Sequence, residues 1–216
     1  MSGRVDVCQT FDELLANQIA LTMVRQQAAD TVPGRIFTST GKLTKALTDN
    51  LPFTMTNAQT NAISEIKSNQ ESDKRMLRML QGDVGSGKTL VALAAMLHVV
   101  ESGAQAALLV PTEVLARQHH QSLNKMLEPI GKSASLLLGQ GRAGSGRKDT
   151  LSGLADGSIG IVVGTHALLS ENVAFADLGL AVVDEQHRFG VRQRLILGQK
   201  GNGVDVLVMT ATPIPR

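Results

Sequence analysis

The chain has 216 residues, with 21 Lys and Arg against 19 Asp and Glu for a formal net charge of +2. That length buries a full core, and the near-balance of charge decides nothing about nucleic acid, because an electrostatic footprint depends on clustering. Cys8 is the only cysteine, which excludes an intrachain disulfide and a thiolate zinc site and fits a reducing, cytoplasmic setting.

The first 50 residues read as a helical connecting arm. Thr10 or Asp12 caps an expected helix with Phe11, Leu14, Leu15, Ile19, Leu21 and Val24 on one stripe, and Pro33-Gly34 breaks it. Arg4, Asp6, Asp12 and Glu13 interrupt the start, so no signal-peptide pattern opens the chain. A polar stretch with Lys42 and Lys45 follows. Leu51-Pro52-Phe53 opens a second helix in which Thr56 is the N-cap and Ala58, Ala62, Ile63 and Ile66 form the apolar stripe. Ser68 to Lys74 reads as a polar loop.

From residue 76 the pattern is α/β. Strands are expected at Met76–Leu80, Ala106–Val110, Ala134–Leu138, Ile159–Val163, Leu178–Val183 and Val204–Met209. Helices are expected at Leu90–Val100, Glu113–Leu127 and Lys148–Ala155, with Gly103 as a C-cap signal and Pro129 as a stop. Alternation of this kind implies a mostly parallel central sheet flanked by helices. Ligands of such sheets bind at the carboxyl ends of the strands, and every polar motif of this chain falls at one of those ends. The longest apolar run, Leu90 to Val100, is too short to span a bilayer.

The segment Gly82-Asp83-Val84-Gly85-Ser86-Gly87-Lys88-Thr89, between an apolar strand and an apolar helix, is a phosphate-binding P-loop. Glycines let the backbone wrap a triphosphate with N–H groups pointing inward, and the helix start adds unpaired donors. Lys88 reaches the β- and γ-phosphates, and Thr89 holds Mg²⁺. The strand Leu178–Val183 runs into Asp184-Glu185, the arrangement in which the first acid holds the Mg²⁺ shell and the second polarises the attacking water. Gly139-Gln140-Gly141-Arg142-Ala143-Gly144 matches a dinucleotide fingerprint, but the next strand ends in Gly164-Thr165-His166 where that fold needs an acid. The stretch reads instead as a basic loop continued by Arg147 and Lys148. His119-His120 reads as surface rather than as metal ligands, because adjacent helical residues diverge.

Five segments together resemble motifs I, Ia, Ib, II and III of superfamily 2 helicases. They are the P-loop, Pro111-Thr112-Glu113-Val114-Leu115-Ala116-Arg117-Gln118, Val163-Gly164-Thr165-His166-Ala167-Leu168, Asp184-Glu185-Gln186-His187-Arg188-Phe189-Gly190-Val191 and Met209-Thr210-Ala211-Thr212-Pro213-Ile214-Pro215-Arg216. The fourth segment, with Gln193-Arg194, is most similar to the RecG family of branch-migrating DNA helicases. The translocase module of transcription-repair coupling factors is the runner-up, and it usually has Glu where Gln186 stands.

The resemblance implies a first RecA-like ATP-binding lobe over 51–216, preceded by the arm at 1–50. A second lobe and a DNA-splitting wedge domain are then expected elsewhere in the same protein. It implies Mg-ATP as cofactor, DNA (forks and junctions) as partner, and no membrane. Lys88, Asp184 and Glu185 take the catalytic roles. Gly82, Gly85, Ser86, Gly87, Lys88 and Thr89 bind the phosphates, with Thr89 and Asp184 at the metal and Gln59 at the adenine edge. Thr112, Arg117, Thr165 and His166 meet the DNA backbone, which suits polar groups that position without reading sequence. His187, Arg188, Thr210 and Thr212 couple the nucleotide state to movement of the lobes.

Overall fold

A computed structural model describes residues 33–139, 145–184, 200–201 and 203–210. The expected helix from Phe11 to Val24, the loop 140–144, Glu185, Gln186, His187, Arg188, Phe189 and Thr212 lie outside these residues.

Among the described residues six strands form one sheet: β1 (Leu77–Gln81), β2 (Gln105–Leu109), β3 (Ser135–Leu137), β4 (Ile161–Gly164), β5 (Leu178–Asp184) and β6 (Asp205–Thr210). Their order is β1-β6-β5-β2-β4-β3, and every pairing is parallel. The fold is therefore the parallel α/β arrangement that the alternation implies, in keeping with the RecA-like lobe that the resemblance implies, and each strand lies within two residues of its expected bounds. β2, β5 and β6 are central and read as continuous apolar runs because both faces are covered. β1 lies at an edge and leaves Leu77 and Met79 each 43% exposed.

Alternation along the strands divides the interior into two cores. Ala106, Leu108, Leu180, Val182, Leu207 and Met209 face one side of the sheet, and Ala107, Leu109, Ala181 and Val183 face the other. The first side receives α1 (Lys42–Asp49), α2 (Asn57–Gln70), α3 (Lys88–Glu101) and α4 (Glu113–Leu127). The second receives α5 (Ser145–Ala155), through Leu154, and the segment after β4, through Leu168 and Val173.

The helix α3 lies in the middle of the first core. Every residue from Leu90 to Val99 is buried, because β2 and β5 cover one side of it and α1 and α2 the other. That double cover explains why its sequence is apolar all round rather than amphipathic.

Two departures from the expected elements have local causes. α1 forms in the stretch read only as polar. Its N-cap, Gly41, has no side chain to offer. Glu101, from the end of α3, accepts instead from the backbone N–H groups of Lys42 (3.1 Å) and Leu43 (3.2 Å) and from the Thr40 hydroxyl. Burial pushes the Glu101 carboxyl up, but these donors hold it below the usual carboxylate range. The second departure is at Leu51-Pro52-Phe53, which is not helical. α2 starts at Asn57, where Thr56 and Gln59 form a capping box, and it extends to Gln70, three residues into the expected loop.

The described part of the arm packs on this lobe. Phe37 is 1% exposed, and Gly179 of β5 admits its ring, since a Cβ there would meet Phe37 and Val99. His98 of α3 bonds the Ser39 hydroxyl through Nδ1 (2.7 Å) and the Phe37 carbonyl through Nε2 (3.2 Å). Burial lowers its pKa, against the pull of that carbonyl.

At the opposite end of the sheet from the P-loop, Asp205 is 1% exposed. Its Oδ1 accepts from the Met76 backbone N–H (2.7 Å), and its Oδ2 has no partner among the described residues. Burial pushes its pKa up to about 7, opposed by the Met76 N–H and by Arg75. A raised acid pKa contributes stability that is full below the unfolded value near 4 and is lost as pH rises toward 7.

Two outcomes follow. Phe37→Ala costs about 3–5 kcal/mol in urea unfolding, whereas Ile36→Ala, at a side chain 58% exposed, stays within about 0.5 kcal/mol. Asp205→Asn keeps an acceptor for Met76 and flattens the pH dependence of the urea midpoint between pH 4 and 7.

Candidate nucleotide site

Because all six strands run parallel, their carboxyl ends share one edge of the sheet. β5 and β6 insert between β1 and β2, and this order sorts the motifs. In the ladders Gln81 pairs with Thr210, and Met209 with Asp184, so the start of the P-loop, Thr210 and Asp184 stand on three successive strands. The segments after β2 and β4, with Thr112, Thr165 and His166, stand on the other half of the same edge.

The P-loop joins β1 to α3. Gly85 (φ 81°) and Gly87 (φ 82°) take left-handed conformations that side chains disfavour. The Gly82 N–H donates to the Thr210 carbonyl (3.3 Å), which fastens the start of the loop to β6. Lys88 Nζ donates to the carbonyls of Gly82 (2.6 Å) and Asp83 (2.7 Å), across the base of the loop. Thr89 follows within the first turn of α3, where helix N–H groups and the dipole favour an anion.

Gln59 holds two positions at once. Its Oε1 accepts from the Thr56 N–H (2.9 Å), and its Nε2 donates to the Ser86 carbonyl (2.9 Å). A Cβ at Gly87 would collide with that same amide. The side chain predicted at the adenine edge is thus also the strut between α2 and the P-loop.

Asp184 ends β5 with its side chain 15% exposed, and its Oδ2 lies 2.9 Å from His119 Nε2. His119 and His120 do diverge, but neither is a plain surface residue. His120 faces Asn124 at 3.0 Å, and Asn124 clamps Ala134 by both its backbone groups. His119 escapes sequence reasoning as a site residue, although one signal is present: it stands three after Ala116 and four before Leu123, both buried, on the core-facing stripe of α4.

The residues expected at DNA are treated unequally. Arg117 and His166 are exposed. Thr112 is half-buried, and its hydroxyl accepts from the Leu115 N–H (3.3 Å) as the N-cap of α4. Thr165 is 1% exposed, and its hydroxyl has no partner among the described residues. Thr210 is 6% exposed.

Among the described residues no three His, Cys, Asp or Glu side chains converge on one point. The donor set, one carboxylate at Asp184 and one hydroxyl at Thr89, fits a metal that arrives with phosphate oxygens as its other ligands rather than one held in a protein cage. No helix among the described residues is long and apolar enough to cross a membrane.

A profile of the DEAD/DEAH box helicases matches residues 56–216. The chain belongs to that family. Among named relatives, the ATP-dependent DNA helicase RecG of Acidithiobacillus ferridurans is 47% identical over 207 residues, and that of Streptococcus pneumoniae 45% identical over 206. Each match covers 95% of this chain and 30% of the relative, so the chain spans less than a third of their length. A solved structure described as RecG bound to a three-way DNA junction superposes with a TM-score of 0.79 at 43% identity, covering 95% of this chain and 27% of that one. This helicase lobe is thus similar to the first motor lobe of RecG proteins.

Replacing Gln59 by Ala removes both ties. The expected cost is about 1–2 kcal/mol in unfolding free energy, with faster hydrogen exchange at residues 84–90 than at β2.

Proposed function

We propose that this lobe is the nucleotide-binding half of an ATP-dependent DNA helicase of RecG type, working in the cytoplasm on branched DNA with a second RecA-like lobe and a wedge domain of the same protein. What carries the reading is the in-register series P-loop, Thr210, Asp184 on β1, β6 and β5, in a chain 44–47% identical to RecG helicases over 95% of its length. The similar solved structure is that of a RecG bound to a three-way junction, which supports branched DNA as the partner here.

In this reading Gly82, Gly85, Ser86 and Gly87 wrap the triphosphate, and Lys88 exchanges its two loop carbonyls for β- and γ-phosphate oxygens. Thr89 and Asp184 hold Mg²⁺, which supplies neutralisation of charge on the transferring phosphoryl group. Gln59 meets the adenine edge from the start of α2. Glu185, next in sequence to Asp184, orients the attacking water. The arginine that completes such sites is expected from the second lobe, and arginine fingers contribute about 10³–10⁵ in rate. The 216-residue chain alone therefore binds nucleotide weakly and turns it over very slowly.

Exposed Arg117 and His166, on the β2–β4 half of the edge, meet the DNA backbone, as does Thr112 at the start of α4. Thr165 serves that surface by setting the turn that presents His166, since Thr165 itself is buried. Thr210, bonded through its backbone to the P-loop, couples nucleotide state to the lobes together with Thr212, His187 and Arg188.

The deciding experiment is ATP hydrolysis by the full-length protein with a fork or junction, plain duplex and single strand at one salt concentration. Branched DNA stimulates most, Lys88→Ala abolishes nucleotide binding, and Glu185→Gln binds ATP but does not hydrolyse it. Equal stimulation by plain duplex transfers the protein to the coupling-factor type of translocase. No stimulation by any DNA removes the helicase assignment.

A further inference from the structure

We propose that His119 is a positioning residue through which α4 holds the carboxylate of Asp184 in the orientation that serves the Mg²⁺–nucleotide complex. The proposal rests on the reading of Asp184 as the metal-holding carboxylate. His119 Nε2 and Asp184 Oδ2 are 2.9 Å apart, and both side chains are 15% exposed, so water competes little for the contact. An ionised carboxylate only accepts hydrogen bonds, so the imidazole donates from Nε2.

The donor is delivered from a fixed support. Thr112 caps the start of α4, and Ala116, Leu123 and Leu127 are buried along it. Asn124 accepts from the Ala134 N–H (2.8 Å) and donates to its carbonyl (3.1 Å), which fastens the far half of the helix beside β3. The ring thus crosses from the β2 half of the edge to the end of β5. Carboxylates that ligate metals are generally held by such outer partners, whose loss costs about 10–100-fold in metal affinity or activity.

The test uses the full-length protein and a non-hydrolysable fluorescent ATP analogue, titrated with Mg²⁺ and separately in EDTA. His119→Ala raises the Mg²⁺ concentration for half-maximal binding about 10-fold or more, while binding in EDTA stays within two-fold of wild type. His119→Gln, whose amide N–H₂ replaces Nε2–H, recovers most of the loss and provides a folded comparison should the alanine variant unfold. A Mg²⁺ half-saturation within two-fold of wild type in His119→Ala, or an equal loss of binding with and without Mg²⁺, overturns the proposal. Asp184→Asn separates the two layers. A large Mg²⁺ effect there with none in His119→Ala removes only the role of His119. No effect in Asp184→Asn removes the reading of Asp184 itself, and the proposal with it.

Discussion

The lobe depends on one buried helix. Residues Leu90 to Val99 of α3 are enclosed on every side, and both ends of the helix are put to use. The amino end carries Lys88 and Thr89, the residues assigned to phosphate and metal, and burial of the helix fixes where its first N–H groups stand. The carboxyl end carries His98, which holds the arm at Ser39 and Phe37, and Glu101, which caps α1. A helix packed all round cannot slide without opening two interfaces at once. The phosphate loop is therefore anchored at depth although Val84, at its tip, is 89% exposed.

The parallel sheet supplies the second constraint. Parallel pairing puts all carboxyl ends on one edge, and the strand order decides which motifs become neighbours. Inserting β5 and β6 beside β1 gives the nucleotide half of the edge its carboxylate and its link at Thr210. β2 and β4 leave the other half to the groups assigned to DNA. Gln59 and His119 each reach between elements along this edge. Gln59 ties α2 to the P-loop, and His119 ties α4 to β5. Both belong to helices that begin with a Thr N-cap, so the start of each helix is fixed by local chemistry.

The residues that serve chemistry and those that serve stability overlap in places. Thr112 caps α4 and stands on the surface assigned to DNA. Gln59 completes a capping box, braces Ser86 and is the residue assigned to adenine. Thr165, expected at the DNA, is buried, and it is His166 that the turn after β4 exposes. Thr112 and Gln59 each bond backbone groups with the same side chains that are assigned to ligands, whereas the buried Thr165 hydroxyl has no partner among the described residues.

The strands, the helices α3, α4 and α5, the P-loop and the acid at the end of β5 are all legible in the linear chain. Those features rest on periodicity, on Gly and Pro punctuation and on one contiguous motif, and all of these are local. The family is legible too, because five motifs recur in order. The remaining features exist only once the chain is folded. α1 forms because Glu101, 59 residues away from Lys42, caps it. Phe37 is core because Gly179 leaves room for its ring. Burial at the start of β6 pushes the Asp205 carboxyl up to about 7, against the Met76 N–H and Arg75. His119 meets Asp184 across 65 positions of sequence. No local pattern encodes such pairs. They depend on which strands become neighbours, and that order is settled by burial of the whole sheet rather than by any one segment.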